Sequence, residues 1–337
     1  LGIEVTQQDG FVKVVSPMDD TPAYKAGVLA GDFITFVDDK PMLGLTLSEA
    51  VEIMRGPVGS SVKLTIVREG LEDPIEVEVI RDVIKLTAAK VRIDDDIVIM
   101  RVTTFNEQTI PNLEDGMKAT LKKTGVNEPK GFVLDLRNNP GGLLSVAISV
   151  TDLFLDQGEI VSTRDREGKG ERYKASKGDI ANGKPLVILI NAGSASASEI
   201  VAGALQDHQR AIVLGTKSFG KGSVQSVLPM GQSGGIRLTT ARYYTPSGRS
   251  IQALGVTPDV FLEFKRVEEK EEEKRRTFSE ADLEGALSND SLTDSEKEML
   301  RKEELSFQET KKRRDKDNQL AHAIDLIEGL SVLSVKE

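Results

Sequence analysis

A run of small residues with alternating serines lies between a predicted strand and a predicted helix. The run reads NAGSASASE from 191 to 199 and directly follows the apolar segment 186–190. Small side chains allow a sharp turn, so Ser196 would lie where the helix begins. Free backbone N–H groups and the positive end of the helix dipole can stabilise an oxyanion there. Residues 196–199 also fit a capping box, so this run alone leaves a catalytic and a structural serine equally open.

A lysine between two glycines supplies a candidate base. Lys221 lies in the sequence GTKSFGKGSVQ, directly after the next apolar segment. A serine hydroxyl is a poor nucleophile until a base takes its proton. A lysine amine accepts that proton only in its neutral form, which burial in an apolar pocket favours. Gly220 and Gly222 would let the backbone bring the amine close to Ser196, and Gln225 would orient it from the same face of the following strand.

Other chemistries fit the same residues less well. A phosphate-binding loop is not favoured, because Gly222 occupies the position of the Mg²⁺-binding Ser or Thr and a strand, not a helix, is predicted to follow. The chain has no cysteine and only two histidines, His208 and His322, so we expect no metal site and no cofactor. His208 lies a helix length of about 18 Å from Ser196, too far to act as its base. Lys217 is interpreted as a solvated loop lysine.

The composition of the chain limits the classes of partner and the cellular locations that fit the protein. The 337-residue chain has a formal net charge of −10, which argues against a general nucleic-acid binder because such a protein needs a basic face. The sequence contains no apolar run near the length of about 18 residues that a membrane span requires. Because the chain begins at Leu1 rather than at Met, we expect that a targeting segment has been removed upstream.

The periodicity of the sequence predicts an α/β multidomain protein. Residues 1–85 read as a small β-rich domain with two helices, the second opened by a capping box at Thr46-Leu47-Ser48-Glu49. Residues 86–264 alternate short apolar strands with helices, which favours a sheet covered by helices. Residues 265–337 are rich in charge and in predicted helices.

The charged C-terminal region allows two interpretations. Mixed charge runs occupy 268–276 and 311–317, and helices are predicted to start at Ser279, Thr293 and Asn318. The last helix carries one apolar stripe, formed by Leu320, Ala323, Ile324 and Ile327. The region could consist of solvated helices or a partly disordered tail. Alternatively, the stripe could belong to a dimerisation or docking arm.

The N-terminal segment resembles a PDZ domain. The resemblance rests on LGIEV at the start of the chain, on SP at 16–17, and on PAYKAG and GDFI further along. It implies that loop N–H groups around Leu1, Gly2 and Ile3 hold a peptide carboxylate while the peptide adds as a strand. The first half of that loop precedes the sequence. Arg55 would either sense the bound peptide, or pin the module to the core, or satisfy helix-end carbonyls. A β domain without a ligand is the alternative.

The central segment resembles the carboxyl-terminal processing peptidases, the S41 group of serine proteases. The matching motifs are GSASASEI, FGKGSVQ, DLRNNPGG at 135–142, YYTPSG at 243–248 and GVTPD at 255–259. The resemblance implies a crotonase-like peptidase core with Ser196 as nucleophile, Lys221 as base and Gln225 as its support. It also implies an oxyanion hole made by the Ala197 amide and an amide of Gly141 or Gly142.

The resemblance implies a serine endopeptidase that cleaves proteins or peptides recognised through apolar C-termini. It further implies a bacterial periplasmic or cell-envelope setting, and leaves a homodimer or a periplasmic adaptor open as partners. One alternative is a PDZ-bearing scaffold or chaperone that binds C-terminal peptides without cutting them. Another is an acyl-CoA enzyme with a similar core, although such an enzyme would not need the PDZ module.

Overall fold

The computed structural model describes residues 1–18, 21–84, 87–231, 234–265, 298, 301 and 313–334. These residues form three sheets and six helices. They comprise an N-terminal β-rich region, an α/β core and a C-terminal helix, which confirms the predicted fold class. None of the helices in these ranges is both long enough and apolar enough to cross a membrane.

The N-terminal module is a mostly antiparallel sheet with two short helices. Its elements are β1 (Ile3–Gln8), β2 (Phe11–Pro17), α1 (Pro22–Lys25), β3 (Phe33–Val37), β4 (Lys40–Pro41), α2 (Leu47–Met54), β5 (Ser61–Val67) and β6 (Ile75–Ile80). The strand order is β1-β2-β3-β5-β6, so β1 is an edge strand, and no strand among the described residues pairs with its other side. The Thr46–Glu49 capping box that opens α2 is formed as predicted.

The remaining elements build the α/β core and its C-terminal cover. In chain order they are β7 (Ala89–Asp94), β8 (Ile97–Val102), α3 (Thr109–Thr124), β9 (Gly131–Asp135), α4 (Leu144–Asp152), β10 (Glu159–Arg164), β11 (Arg172–Lys174), β12 (Leu186–Ile190), α5 (Ala197–Asp207), β13 (Ile212–Gly215), β14 (Ser223–Pro229), β15 (Gly235–Tyr244), β16 (Val260–Phe261) and α6 (Asn318–Ser334). The central sheet has the order β16-β13-β12-β9-β8-β7, and only the β7–β8 pair is antiparallel.

The strands of the central sheet are apolar on both faces because both faces are covered. In β8, Val98 and Met100 join the core cluster that includes α3, α4 and α5. Their neighbours Ile97 and Ile99 point the other way, into a cluster with α6. The same alternation continues through β9 and β12. The sheet therefore lies between two helical layers, as the mixed pattern of the sequence predicts.

The apolar stripe of α6 is buried by the chain's own sheet. Leu320, Ala323, Ile324 and Ile327 are each at most 7% exposed and pack against β8, β9, β12 and β13. The interpretation of α6 as a solvated or disordered helix is therefore wrong. Of the alternative, a dimerisation or docking arm, the docking part holds, because the stripe docks on the chain's own central sheet. The charge run at 268–276 and the helix starts at Ser279 and Thr293 lie outside the described residues.

A second sheet of the core, with the order β11-β10-β15-β14, carries the segment that follows Lys221. Strand β14 begins at Ser223 and pairs with β15 as an antiparallel hairpin. A strand in this place confirms the prediction that excluded a phosphate-binding loop, since such a loop must run into a helix.

Candidate active site

Ser196 lies at the turn between β12 and α5, as the residue before the first helical residue. Its backbone has φ 55° and ψ −111°, a strained conformation for a residue with a side chain. The neighbouring serines anchor the turn: the Ser194 hydroxyl donates to the Leu136 carbonyl and the Ser198 hydroxyl to the Asn139 carbonyl, both at 2.8 Å. The alternating serines therefore attach the Ser196 turn to the loop that follows β9.

That loop, residues 136–142, is called the glycine loop. Gly141 has φ +104°, and a Cβ on it would lie 2.9 Å from the Cβ of Ser196 and from the Ala197 nitrogen. A Cβ on Gly142, at φ +148°, would lie 2.1 Å from the Phe105 carbonyl oxygen. Both positions need glycine because the loop is pressed between the Ser196 turn and residue 105.

The backbone amides around Ser196 differ in their availability. The Gly141 amide donates to Oδ1 of Asn139 at 2.9 Å. Within the described ranges, no acceptor is found for the Gly142 amide or for the Ala197 amide. Gly142 is exposed, whereas Gly141 is buried. Two unengaged N–H groups thus flank the Ser196 turn.

The loop that carries Lys221, residues 216–222, is called the lysine loop and is held by Glu199. The Glu199 carboxylate is completely buried and accepts hydrogen bonds from both parts of the site. The Ser218 hydroxyl and the Gly220 amide donate to Oε1, both at 2.6 Å, and the Lys221 amide donates to Oε2 at 2.9 Å. The Ser196 amide also donates to Oε2, at 2.7 Å. Burial raises the pKa of Glu199, although these hydrogen bonds work in the opposite direction.

A cavity of about 260 Å³ joins the two loops. It is lined by Glu4, Met18, Thr103, Thr104, Pro140, Gly141, Gly142, Ser196 and Lys221. Four of the predicted site residues, Ser196, Lys221, Gly141 and Gly142, therefore face one space. Ala197 follows Ser196 directly and is buried.

Gln225 is not among the residues that line this cavity. It is exposed on β14, beyond a bulge between Val224 and Gln225 that shifts the register with β15. A bulge changes the side to which the following residues point. The support of Lys221 by Gln225 stays a prediction.

Gly220 and Gly222 are needed for a steric reason that differs from the predicted one, which was to bring the Lys221 amine close to Ser196. A Cβ on Gly222 would lie 2.3 Å from the Gln252 nitrogen, and Gly220 has φ +92° with Ala253 and Gly255 at 3.2 Å. The Gly222 amide also donates to the Gln252 side chain at 3.1 Å. These glycines let the lysine loop pack closely against residues 251–255.

A second buried carboxylate lies at the start of the glycine loop. Asp135 accepts from Nε and Nη2 of Arg137 at 2.9 and 2.7 Å, and from Arg101 at 3.2 Å. Burial works to raise the pKa of Asp135, but the two guanidinium groups hold it well below its usual range. Asp135 is therefore ionised and holds the start of the glycine loop in place.

The alternative bases lie elsewhere. His208 ends α5, and its Nε2 is 2.7 Å from the Glu159 carbonyl oxygen. His322 is exposed on α6, with Nδ1 3.3 Å from the Asn318 carbonyl, and Lys217 is exposed. None of these three residues lines the cavity that contains Ser196.

The predicted peptide-binding residues of the N-terminal module have mixed surroundings. Leu1 and Ile3 are half-buried against its core. Gly2 has φ +81°, and a Cβ there would lie 2.3 Å from Cβ of Thr21, so its first steric partner is α1 rather than a ligand. Arg55 has a 73% exposed side chain and forms an ion pair with Glu52 at 3.2 Å. Its role as a sensor stays a prediction.

A groove runs along α2 of this module. It has a volume of about 490 Å³ and is lined by Leu45, Ser48, Glu49, Glu52 and Ile53. The Gln7 side chain donates to the Leu45 carbonyl at 2.8 Å, which ties β1 to the start of this groove. The groove and the free edge of β1 therefore lie side by side.

The module also contacts the catalytic segment. The Ser16 hydroxyl donates to the Asn138 carbonyl in the glycine loop at 2.7 Å. Glu4 of β1 and Met18 belong to the lining of the Ser196 cavity. In this structure the end of the module thus forms one wall of the candidate site.

The sequence indicated Glu199 only as a capping residue and gave no role to Asn139 or Asn191. Glu199 is an acidic residue on a helix that is otherwise small and apolar, ASEIVAGAL, and this exception was the available signal. Asn191 accepts from the Asn138 amide at 2.8 Å and donates to the Asn138 side chain at 2.7 Å. No local pattern reveals such contacts between distant loops.

Comparison with known proteins shows the family to which the chain is similar. The profile of peptidase family S41 matches residues 96–262, and that of the PDZ domain matches residues 13–68. A carboxy-terminal-processing protease of Bartonella bacilliformis is 54% identical over 288 residues, covering 85% of this chain and 66% of the relative. One of Synechocystis is 37% identical over 268 residues, covering 78% and 62%.

A solved structure gives the same result. The photosystem II D1 C-terminal processing protease superposes with a TM-score of 0.71 at 32% identity, covering 78% of this chain and 72% of that one. The chain therefore belongs to the carboxyl-terminal processing proteases of peptidase family S41 and carries a PDZ domain. It spans 66%, 62% and 51% of the length of three curated relatives.

Proposed function

We propose that the protein is a serine endopeptidase that uses Ser196 and Lys221 to cleave proteins recognised through their C-termini. The observation that carries this proposal is the shared cavity, in which Ser196 and Lys221 face the two loop glycines. Membership of a family of serine peptidases supports the reaction class.

The chemistry follows from the positions of the groups. Lys221 is the proposed base: when its amine is neutral, it takes the Ser196 proton while Oγ attacks the peptide carbonyl. The amine then returns the proton to the leaving nitrogen, and the acyl-enzyme is hydrolysed by water that the same amine activates. In the tetrahedral intermediate, the developing negative charge lies on the former carbonyl oxygen.

For the oxyanion hole we propose the amides of Ala197 and Gly142. Gly142 is preferred to Gly141 because the Gly141 amide is already used by Asn139. Donors that need not reorganise during the reaction stabilise the oxyanion most effectively. Glu199 acts as a positioning residue, since one carboxylate receives the amides of both Ser196 and Lys221.

The direct test compares Ser196→Ala, Lys221→Ala and His208→Ala for peptide turnover and for labelling by a serine-directed fluorophosphonate. We expect the first two variants to lose turnover and His208→Ala to keep it. Loss in His208→Ala with survival in Lys221→Ala would contradict the Ser–Lys assignment. A wild-type chain that binds C-terminal peptides but is never labelled would favour the PDZ-bearing scaffold or chaperone instead.

Gln225 needs its own test because of its position on β14. If Gln225 orients Lys221, Gln225→Ala lowers kcat while KM stays constant. Ser226→Ala, on the same exposed hairpin, is the matched control. Equal kcat values in the two variants would remove Gln225 from the site.

Recognition of apolar C-termini is supported by the free edge of β1 beside the groove lined by Leu45 and Ile53. A peptide would add to β1 through main-chain hydrogen bonds and place its last side chain in the groove. Peptides that end in a free carboxylate should be cut faster than the same peptides ending in an amide. Equal rates would contradict this mode of recognition.

We further infer a periplasmic or cell-envelope location, with a homodimer or a periplasmic adaptor as open partners. The relatives of Bartonella bacilliformis and Bacillus subtilis support the bacterial setting. Fractionation of cells that express the complete gene, followed by sedimentation of the purified protein, tests both. Recovery of the protein from the cytoplasmic fraction alone would contradict the location.

A further inference from the structure

Arg137 joins the glycine loop to the C-terminal segment. Its guanidinium donates to both carboxylate oxygens of Asp317, from Nη1 at 2.9 Å and from Nη2 at 2.7 Å. Nη1 also donates to Oε1 of Gln319 at 3.0 Å. The Arg137 side chain is only 12% exposed. A bidentate pair of this kind fixes the orientation of the guanidinium plane as well as its distance.

Asp317 is itself held in place by α6. Its Oδ1 accepts from the Leu320 amide at 3.0 Å, so the carboxylate caps the helix. The Gln319 side chain donates to the Leu262 carbonyl at 2.6 Å. The buried stripe of α6 seats the helix on the central sheet. Asp317 therefore presents its carboxylate from a fixed helix rather than from a loose tail.

The residues that follow Arg137 lead to the Gly142 amide, which is proposed to bind the oxyanion. Arg137 is followed by Asn138, whose amide donates to the Asn191 side chain at 2.8 Å and whose carbonyl accepts from Ser16 at 2.7 Å. Three residues, 139–141, separate Asn138 from Gly142. The position of the Gly142 amide thus depends on attachments to the PDZ module, to the end of β12 and to α6.

The charges in this cluster alternate. Two carboxylates, Asp135 and Asp317, face two guanidinium groups, Arg101 and Arg137. Without Asp317, Arg137 would keep its hydrogen bonds to Asp135 through Nε and Nη2. The loss of Asp317 would therefore release the outer side of the guanidinium and leave one carboxylate facing two guanidinium groups.

We propose that Asp317 is a positioning residue for hydrolysis: by clamping Arg137 it sets the glycine loop, and thereby couples the seating of α6 to the amide that receives the oxyanion. This inference rests on the proposed peptidase function. It gives the C-terminal helix a part in turnover, in addition to covering the sheet.

The test uses Asp317→Asn in the full chain, since Asn keeps the helix cap and removes the charge. The matched control is Asp325→Asn, a substitution within α6 that breaks an ion pair at 2.6 Å with Arg314, which precedes the helix. Active sites are counted by fluorophosphonate labelling taken to completion. For Asp317→Asn we expect kcat per labelled site to fall about tenfold to a hundredfold with KM unchanged. Its melting temperature should fall less than that of Asp135→Asn, because Arg137 keeps its hydrogen bonds to Asp135.

A second variant, Asp317→Ser, also keeps a helix cap and should reproduce the fall in kcat. A kcat per labelled site equal to that of Asp325→Asn would overturn the proposal. A loss of turnover that comes only from fewer labelled sites would also overturn it, because a purely structural role predicts that result. If the wild-type chain shows no Ser196-dependent turnover, the proposed function itself fails. Normal wild-type turnover with a normal Asp317→Asn refutes only this inference.

Discussion

The glycine loop and the lysine loop are both held by a buried carboxylate, but the two carboxylates are compensated differently. Asp135, under the glycine loop, lies between the guanidinium groups of Arg101 and Arg137. Glu199, between Ser196 and the lysine loop, is contacted by backbone amides and one hydroxyl. One loop is therefore fixed by paired charges and the other by neutral donors.

The two carboxylates therefore differ in how strongly they hold their loops and in the pH at which they lose their charge. A buried carboxylate paired with cations keeps its charge to low pH, and its removal leaves cations uncompensated. A buried carboxylate held by neutral donors has a raised pKa and depends on the geometry of each hydrogen bond. The glycine loop is thus the more strongly fixed of the two. The lysine loop is tied directly to Ser196 through Glu199.

Replacing Asp135 by Asn should give the largest loss of stability. Arg101 and Arg137 would face a neutral amide, and breaking such a buried pair costs about 3–5 kcal/mol of unfolding free energy. Urea unfolding measures this cost. The control is Asp179→Asn, which breaks a similarly buried pair with Arg210 far from the cavity. Turnover should fall in Asp135→Asn alone; an equal fall in both variants would show that the effect is only global.

Replacing Glu199 by Gln should lower the free energy of unfolding less than Asp135→Asn does, and it should lower kcat more. The side-chain NH₂ group would face two of the present donors, and an unsatisfied buried group costs about 1–3 kcal/mol. Because the same carboxylate holds Ser196 and Lys221, kcat should fall more than tenfold. Glu49→Gln, in the exposed capping box of α2, is the stability control. A variant that loses stability but keeps kcat would reduce Glu199 to a helix cap.

The pH dependence of stability should have opposite signs for the two carboxylates. The lowered pKa of Asp135 means that its contribution is present above the ordinary carboxyl pKa of about 4 and is lost as the pH falls below it. The raised pKa of Glu199 means that its contribution is greatest below that value and is lost as the pH rises through the folded-state pKa. Unfolding of wild type, Asp135→Asn and Glu199→Gln between about pH 7 and about pH 2 measures both slopes. Slopes of the same sign would contradict the difference in compensation between Asp135 and Glu199.

The sequence predicts one half of this site better than the other. The Ser196 turn, the strand after Lys221 and the faces of the central sheet follow from local patterns, and the structure contains them. Glu199 was recognisable as a cap because Ser196 is three residues away. Its bonds to Ser218, Gly220 and Lys221 depend on how two segments meet in space, which periodicity does not encode.

The C-terminal helix shows the same limit. Its apolar stripe is visible in the sequence, but a stripe states only that something covers it. That the cover is the back of the central sheet depends on tertiary packing. The pair between Arg137 and Asp317 joins residues 180 positions apart. No spacing rule connects them, and the charge run around 311–317 resembles an ordinary solvated segment.

The left-handed φ of Ser196 has a consequence for the ancestry and engineering of such chains. A side chain in this conformation costs about 1–3 kcal/mol, which glycine largely avoids. A chain freed from selection for hydrolysis would therefore gain robustness by accepting glycine at this position. Ser196→Gly should accordingly melt at a higher temperature than Ser196→Ala, both being inactive. The backbone conformation of Ser196 thus lowers the stability of the protein at the position of the proposed nucleophile.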